Sequence, residues 1–401
     1  MKRRIGNLYI CPIINTMGPV VDHRHKDLLN SWDDVDAALS KIFDPQYRAL
    51  VKDSAGHSAI FSWFIISWSG FRSNPVHRDF GYFTIYDHYR ARWGEAMRRY
   101  GDDIYWMYNH PAASGIGNEW GLDWLENAHY LEILMRFVDK RGYFPSVVEV
   151  VTEANDTSHF LENYFPFDLG NRNSVDVNWD AVNADGKPMW KVIDWRNATH
   201  EWTTYRPADD DYQWRGEMRR SIGRLLDIKT IIYEFKEYEF ERAFHACLEG
   251  RDQMISAYEH DFRDRAGIVQ EKFLAPLDRV AQRYKEVKWY YKNSRDAFNL
   301  LQGRTEDLPA VTFSLSRDRN QNLLIHADAP VFGTTPFAFF VKDDAYQHVA
   351  PLRVGYSCWL IHREALPSNM ELVLAANNPS GVATIARFGA EAVNSLPKPA
   401  A

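Results

Sequence analysis

The densest group of reactive side chains in this sequence is His260-Asp261-Phe262-Arg263-Asp264. A histidine next to a carboxylate could work as a general acid or base, with the carboxylate setting its tautomer. The plainer reading is a strand-to-helix junction, with Asp261 or Asp264 capping the following helix and Arg263 as ion partner. Asn118-Glu119-Trp120 could clamp a sugar, amide and carboxylate on its hydroxyls and indole under its ring. It could equally open a helix, with Asn118 as N-cap and Glu119 at the favourable end of the dipole. Asp22-His23-Arg24-His25 offers an acid and two imidazoles that point the same way on an extended chain, suited to ligating a metal or to a solvated loop. Arg141 could be a helix-end cation or could orient Asp168 or Asp194. Asp168 to Asn171 follows Pro166 and could be an Asx turn. Glu119, Asp168, Asp194 and Asp261 could furnish the carboxyl pair of a glycosidase, about 5–5.5 Å apart for retention or about 6.5–9.5 Å for inversion.

Something large must position these groups. The 401 residues exceed one ordinary core and suggest a large α/β domain with a smaller partner. With 45% hydrophobic and 25% charged residues, the chain reads as globular. The net charge of −7 repels phosphate backbones, so nucleic acid is not an expected partner. Cys11, Cys247 and Cys358 lie far apart without C-x-x-C spacing, which argues for a reducing compartment. No secretory signal is read at the start, and the most apolar run, Ile60 to Trp68, is too short to span a bilayer. The expectation is a soluble cytoplasmic protein. Fourteen tryptophans and 21 tyrosines suit large cores and also sugar stacking.

Apolar runs at Leu8 to Ile14, His57 to Trp68, Ile104 to Tyr108, Val147 to Val151 and Met254 to Tyr258 predict buried strands. Helical spacing predicts helices through Trp32 to Ile42, Tyr86 to Tyr100, Trp124 to Val138, Tyr212 to Leu226 and Glu239 to Leu248. Alternating strands and helices imply a mostly parallel sheet, with chemistry gathered after the strands. Beyond Gln302 the helical period vanishes. Short β-rich runs separated by turn signals then predict an antiparallel β-sandwich. The expected division is an α/β domain over 1–302, a β-sandwich over 303–395 and a frayed tail over 396–401. The sandwich would pack on the larger domain or support a homo-oligomer.

The strand-end segments, taken in order, resemble the polysaccharide deacetylase superfamily over roughly residues 7–270. That family opens with a strand ending Asp-Asp-Gly-Pro, where this chain reads Thr16-Met17-Gly18-Pro19. Its second motif, a strand ending in two histidines four residues apart, corresponds to Trp106 through His110 after Arg98-Arg99-Tyr100-Gly101. Arg141-Gly142-Tyr143, Asp194-Trp195 and His260 fit its third, fourth and fifth motifs. A subgroup tied to bacterial surface-glycan synthesis is matched by Asn74-Pro75, Gly117-Asn118-Glu119-Trp120, Pro166-Phe167-Asp168, Trp202 with Tyr205 and Pro207, and His260 to Asp264.

The resemblance implies a deformed (β/α) barrel of the deacetylase type and a site that hydrolyses N- or O-acyl groups on a sugar with one divalent metal. Here Met17 replaces the carboxylate ligand, Trp106 or Met107 replaces one histidine, and Asn15 or Thr16 replaces the catalytic base. No cofactor is therefore expected, and zinc would have lost two of three ligands. By the resemblance, His110, Asp194, His260, Asp261 and Arg141 are the candidate catalytic residues. Asn15, Asn118, Glu119, Trp120, Asp168, Asn171, Trp195, Tyr205 and Arg263 are the candidate contacts to a saccharide or acylated sugar. The alternatives are a silent glycan-binding relative and a glycoside hydrolase using a carboxylate pair.

Overall fold

The computed structural model describes residues 4–19, 28–68, 83–109, 129–150, 155–178, 195–229 and 234–396. Its main sheet is built from β1 (Asn7–Thr16), β2 (Ser62–Trp68), β3 (Asp103–Asn109), β4 (Val147–Val150), β5 (Phe167–Asn171), β6 (Ser221–Arg224), β7 (Leu226–Asp227), β8 (Gln253–His260) and β9 (Lys288–Tyr291). The order is β6-β5-β4-β3-β2-β1-β8-β7, with β9 beside β1, and every pairing is parallel. Only Leu225 separates β6 from β7. The two ends of the sheet are thus one passage of chain that bonds β5 and then β8, and it nearly closes a barrel.

β1 is apolar along almost its whole length because a parallel barrel strand is covered on both faces. Pro12 sits in its middle, where a proline is normally excluded. It falls where β1 changes neighbours, after Ile10 leaves Tyr291 of β9 and before Ile13 meets Ser62 of β2. A missing N–H costs least at such a handover.

Helices fill the outer layer. Trp32–Ile42 begins at Ser31, whose hydroxyl accepts the Asp34 N–H, and buries Val35, Ala38, Leu39 and Ile42. Thr84–Tyr100 ends on Gly101 at φ 76°, a left-handed position that glycine adopts without strain. Glu237–Leu248 also forms, and the helix ending at Arg141 is described from His129.

Two expectations for the middle of the chain are corrected. Residues 212–226 make turns and then β6 and β7 rather than a helix. Gly223 is needed there, because a Cβ would stand 2.8 Å from Met254 and 2.9 Å from Leu169 and Phe298. Asp168 to Asn171 is no Asx turn but the body of β5.

After the helix Ser294–Leu301 the chain forms β10 (Phe313–Arg317), β11 (Leu323–Ala327), β12 (Phe337–Lys342), β13 (Ala345–Val349), β14 (Leu352–Gly355), β15 (Cys358–Ile361), β16 (Glu371–Asn377) and β17 (Ala383–Phe388). They make two antiparallel sheets, β10-β11-β15-β14 and β13-β12-β16-β17. Alternation along β12 and β16 sorts two cores. Ala338, Phe340, Leu372 and Leu374 face the other sheet. Phe337, Phe339, Val373 and Ala375 join the barrel's core, with Phe337 stacked on Phe144. The sandwich is therefore fused to the barrel through an apolar face.

Candidate active site at the barrel mouth

Strand ends on the C-terminal side of the barrel carry an unusual density of buried polar groups. β4 reads Val-Val-Glu-Val, and its one acid, Glu149, is buried. The Asn15 amide donates to Glu149 Oε1 at 3.0 Å. β1 and β4 are separated by β2 and β3 in the ring, so this bond crosses the interior. Arg172, one residue past β5, donates to the same oxygen at 2.5 Å and lies 5.3 Å from the Tyr258 ring centre on β8. It is held in turn by the Leu169 and Gly170 carbonyls. Asn15, Glu149 and Arg172 are each at most 2% exposed.

Two further carboxylates share this end. Asp227 closes β7, fully buried, with the Lys229 N–H on its Oδ1. Glu259 on β8 accepts from the His260 N–H and from Arg263 at 3.1 Å. The charge of Asp227 raises the proton affinity of both Glu149 and Glu259. Burial is the larger cause in each case and pushes Glu149 up to about 7, against the downward pull of Arg172. Among the described residues, Glu149 Oε2, Glu259 Oε2 and Asn15 Oδ1 are buried without a hydrogen-bond partner. Such atoms are costly unless a ligand or a proton answers them. A carboxylic acid that titrates near neutrality with one unengaged oxygen can donate a proton to a substrate.

The sequence candidates scatter around this core. His110, Asn118, Glu119, Trp120, Asp194 and the Asp22–His25 cluster lie outside the described residues. Asn15 is at the centre, against Glu149. His260 stands at the end of β8 in register with Asn15, stacked on Phe262 at 4.8 Å. Arg263 reaches the mouth through Glu259, not as partner of Asp261. Asp261 takes the Met17 N–H at 2.7 Å, the Gly18 N–H at 2.8 Å and the Tyr89 hydroxyl at 2.8 Å. Those three donors account for its carboxylate, which neither orients His260 nor caps the next helix. Asp264 makes no cap bond either and pairs instead with Lys41.

The remaining candidates have other partners. Asp168 is fully buried against Arg220, while Arg141 forms a two-pronged bond to Asp87 at 2.6 Å on the outside. Arg141 therefore does not orient Asp168. Its pair is partly exposed, so Arg141→Ala should cost no more than about 1 kcal/mol in chemical denaturation and leave turnover unchanged. Asn171 is spent on the Thr199 carbonyl and the Asn173 N–H. Trp195 is fully buried, edge-on to Tyr212 and pressed on Gly170. Tyr205 donates its hydroxyl to the Tyr212 carbonyl. Trp195 thus presents no face to a sugar ring, and Tyr205 belongs to the opposite end of the barrel.

Of the positions where the deacetylase resemblance implies metal ligands, that of Met17 is described, while His110 and the Asp22–His25 cluster lie outside the described residues. Met17 is packed in the hydrophobic core and offers an uncharged thioether. Among the described residues, no three His, Cys, Asp or Glu side chains converge as ligands.

Glu149, Arg172 and Asp227 did not stand out among the sequence candidates. The usable signal was a single acid inside the valine run Val147-Val148-Glu149-Val150-Val151. A charge kept inside a strand buried on both faces must have a partner or a use.

No family model matches the chain, and no curated protein matches it in sequence. Among solved structures, a Cellulomonas fimi endo-beta-1,4-mannanase double mutant aligns over 96% of this chain and 94% of its own at 9% identity. The TM-score of that alignment is 0.29, too low to equate the two folds.

Proposed function

We propose that this protein hydrolyses a glycosidic bond, using carboxyl groups at the C-terminal mouth of its barrel with Glu149 as proton donor. The observation that carries the reading is Glu149 itself. It is buried, titrates near neutrality, is fixed through one oxygen by Asn15 and Arg172, and keeps the other unengaged. Protonated Glu149 would deliver its proton from Oε2 to the leaving oxygen as the C–O bond breaks. Asp227 is the second carboxylate. Its negative charge helps hold the proton on Glu149, and it would stabilise positive charge at the sugar carbon and accept the proton of the water that bonds there. Asn15 on Glu149, with His260 and Arg263 beside Glu259 at the end of β8, would bind hydroxyls.

Three free cysteines fit a reducing, cytoplasmic setting, and among the described residues no helix is long and apolar enough to cross a membrane. Incubation with a panel of plain and acylated oligosaccharides tests the reading. New reducing ends without acetate are the expected result. Acetate release with the glycan backbone intact would shift the assignment to acyl hydrolysis through His110 and Asp194. Neither product from any saccharide would remove the hydrolase reading.

A further inference from the structure

At the end of the barrel opposite the mouth, where β5 and β6 begin, a cavity of about 660 Å³ opens in the seam between barrel and sandwich. Phe167 and Ser221, the first residues of those strands, form its barrel side, and Phe332 comes from the sandwich. Arg206, Arg215, Arg219 and Arg304 converge on it, and among the described residues its wall contains no Asp or Glu. In a chain of net charge −7, four cations around one cavity are not a random draw of surface residues.

Arg206 and Arg219 each have one carboxylate near the limit of ion-pair distance, and Arg215 and Arg304 have none among the described residues. Arg206 donates to the Met218 and Glu217 carbonyls, which fixes its fork, and its carboxylate neighbour, Glu217 at 4.0 Å, points almost entirely into solvent. Arg219 stands 3.7 Å from Glu162, but both oxygens of that acid already accept the backbone N–H groups of Arg219 and Arg220. Arg304 is half-buried, and among the described residues its acceptors are the neutral side-chain oxygens of Asn299 and Gln302. Arg215 has no carboxylate within ion-pair distance among the described residues. Arg304 is the one of the four that is partly desolvated, and desolvating a cation against neutral partners is unfavourable unless an anion arrives to answer it.

We propose that this seam binds a small molecule carrying phosphate groups. Planar guanidinium forks match phosphate oxygens in pairs, and four of them offer more donors than one carboxylate can accept. The cavity falls within the usual size of a small-molecule site, and its aromatic wall suits an apolar body beside the charged head. The site stands apart from the barrel mouth, and nothing in it depends on Glu149.

Calorimetric titration of the full chain at low salt tests this, with inorganic phosphate, pyrophosphate and a nucleoside diphosphate as probes. Pyrophosphate should bind, and weaken as salt is raised. Arg215→Ala and Arg304→Ala should each reduce that affinity by roughly 10-fold or more, the loss of one charge-assisted contact. Arg215 is exposed, so its variant is not expected to unfold, and Arg304→Lys checks that charge without the fork is insufficient. Tighter binding of the nucleoside diphosphate would identify a phosphorylated organic ligand. Equal affinity for it and pyrophosphate would identify the free ion as sufficient, and both results support the site. Absence of pyrophosphate binding at millimolar concentration overturns the proposal, as does unchanged affinity in the Arg215→Ala/Arg304→Ala double variant. Binding of a polyuronate in place of pyrophosphate overturns it too.

Discussion

Replacing Glu149 by Gln should lower hydrolytic turnover by roughly 10²- to 10⁴-fold, the usual contribution of a positioned proton donor. The same change should leave the protein at least as stable as the parent at pH 8. The second half follows from where the carboxyl titrates. Its proton leaves near pH 7 in the folded chain, against 4.5 for the free side chain. Between those values the folded form keeps a proton that the unfolded form has released. The stability this supplies is fully present below about pH 4.5 and is lost as pH rises through about 7, in total on the order of 3 kcal/mol. Gln imitates the neutral acid and cannot ionise. Parent and variant should therefore have similar stability at pH 5, and the variant should gain at pH 8. Urea denaturation at the two pH values measures this. A parent–variant difference that does not change with pH would show that Glu149 is an ordinary carboxylate. Turnover gives an independent reading: activity that needs protonated Glu149 must fall above about pH 7, and a rate that stays level to pH 9 removes it as the acid.

The elements that could be read in the sequence were those whose periodicity is set by burial alone. β1 and β8 are nearly continuous apolar runs because both faces are covered, and the helix Thr84–Tyr100 shows its buried stripe and its closing glycine. The sandwich announces itself by alternation, and β12 reads Phe-Ala-Phe-Phe-Val because both its faces meet a core. What was hidden lies between Phe167 and Asp227. β5, β6 and β7 have five, four and two residues, too few for a period. Their polar residues look solvated in sequence, yet Asp168 is buried on Arg220, and Arg224 is buried on Glu239 beneath Trp202. A pair 52 residues apart, as Asp168 and Arg220 are, leaves no local trace. The site was obscured for a related reason. When both faces of a strand are apolar, alternation no longer says which side points inward, so Glu149 could not be assigned to the barrel interior. His260 and Asp261 were read as a unit because they are adjacent in sequence. His260 ends β8 and Asp261 opens the turn after it, where its carboxylate meets the Met17 and Gly18 N–H groups, which separates the two in function.

That separation makes Asp261 the second position where a large effect is expected, on folding and not on chemistry. Gly18 follows β1 at φ 67°, a left-handed turn in which its N–H and that of Met17 both point at the Asp261 carboxylate. Tyr89, from the helix after β2, adds its hydroxyl, and the Asp261 N–H returns to the Asn15 carbonyl. One side chain thus joins the ends of β1 and β8 to an outer helix, fully buried beside Arg265. Asp261→Ala would strand three donors and remove the charge that faces a buried guanidinium. Breaking such an arrangement from one side costs roughly 3–5 kcal/mol. Tyr89→Phe removes a single donor and should cost about 1 kcal/mol. A histidine-orienting role would give the opposite pattern: near-normal stability of Asp261→Ala, with turnover lost and its pH profile moved. Denaturation midpoints for the two variants, set beside turnover of the fraction still folded, separate the cases. If Asp261 is the clamp described, the folded fraction of Asp261→Ala retains activity, because Glu149, Asn15 and Arg172 are held by β4, β1 and the residue after β5, none of which takes its bonds to Glu149 from Asp261.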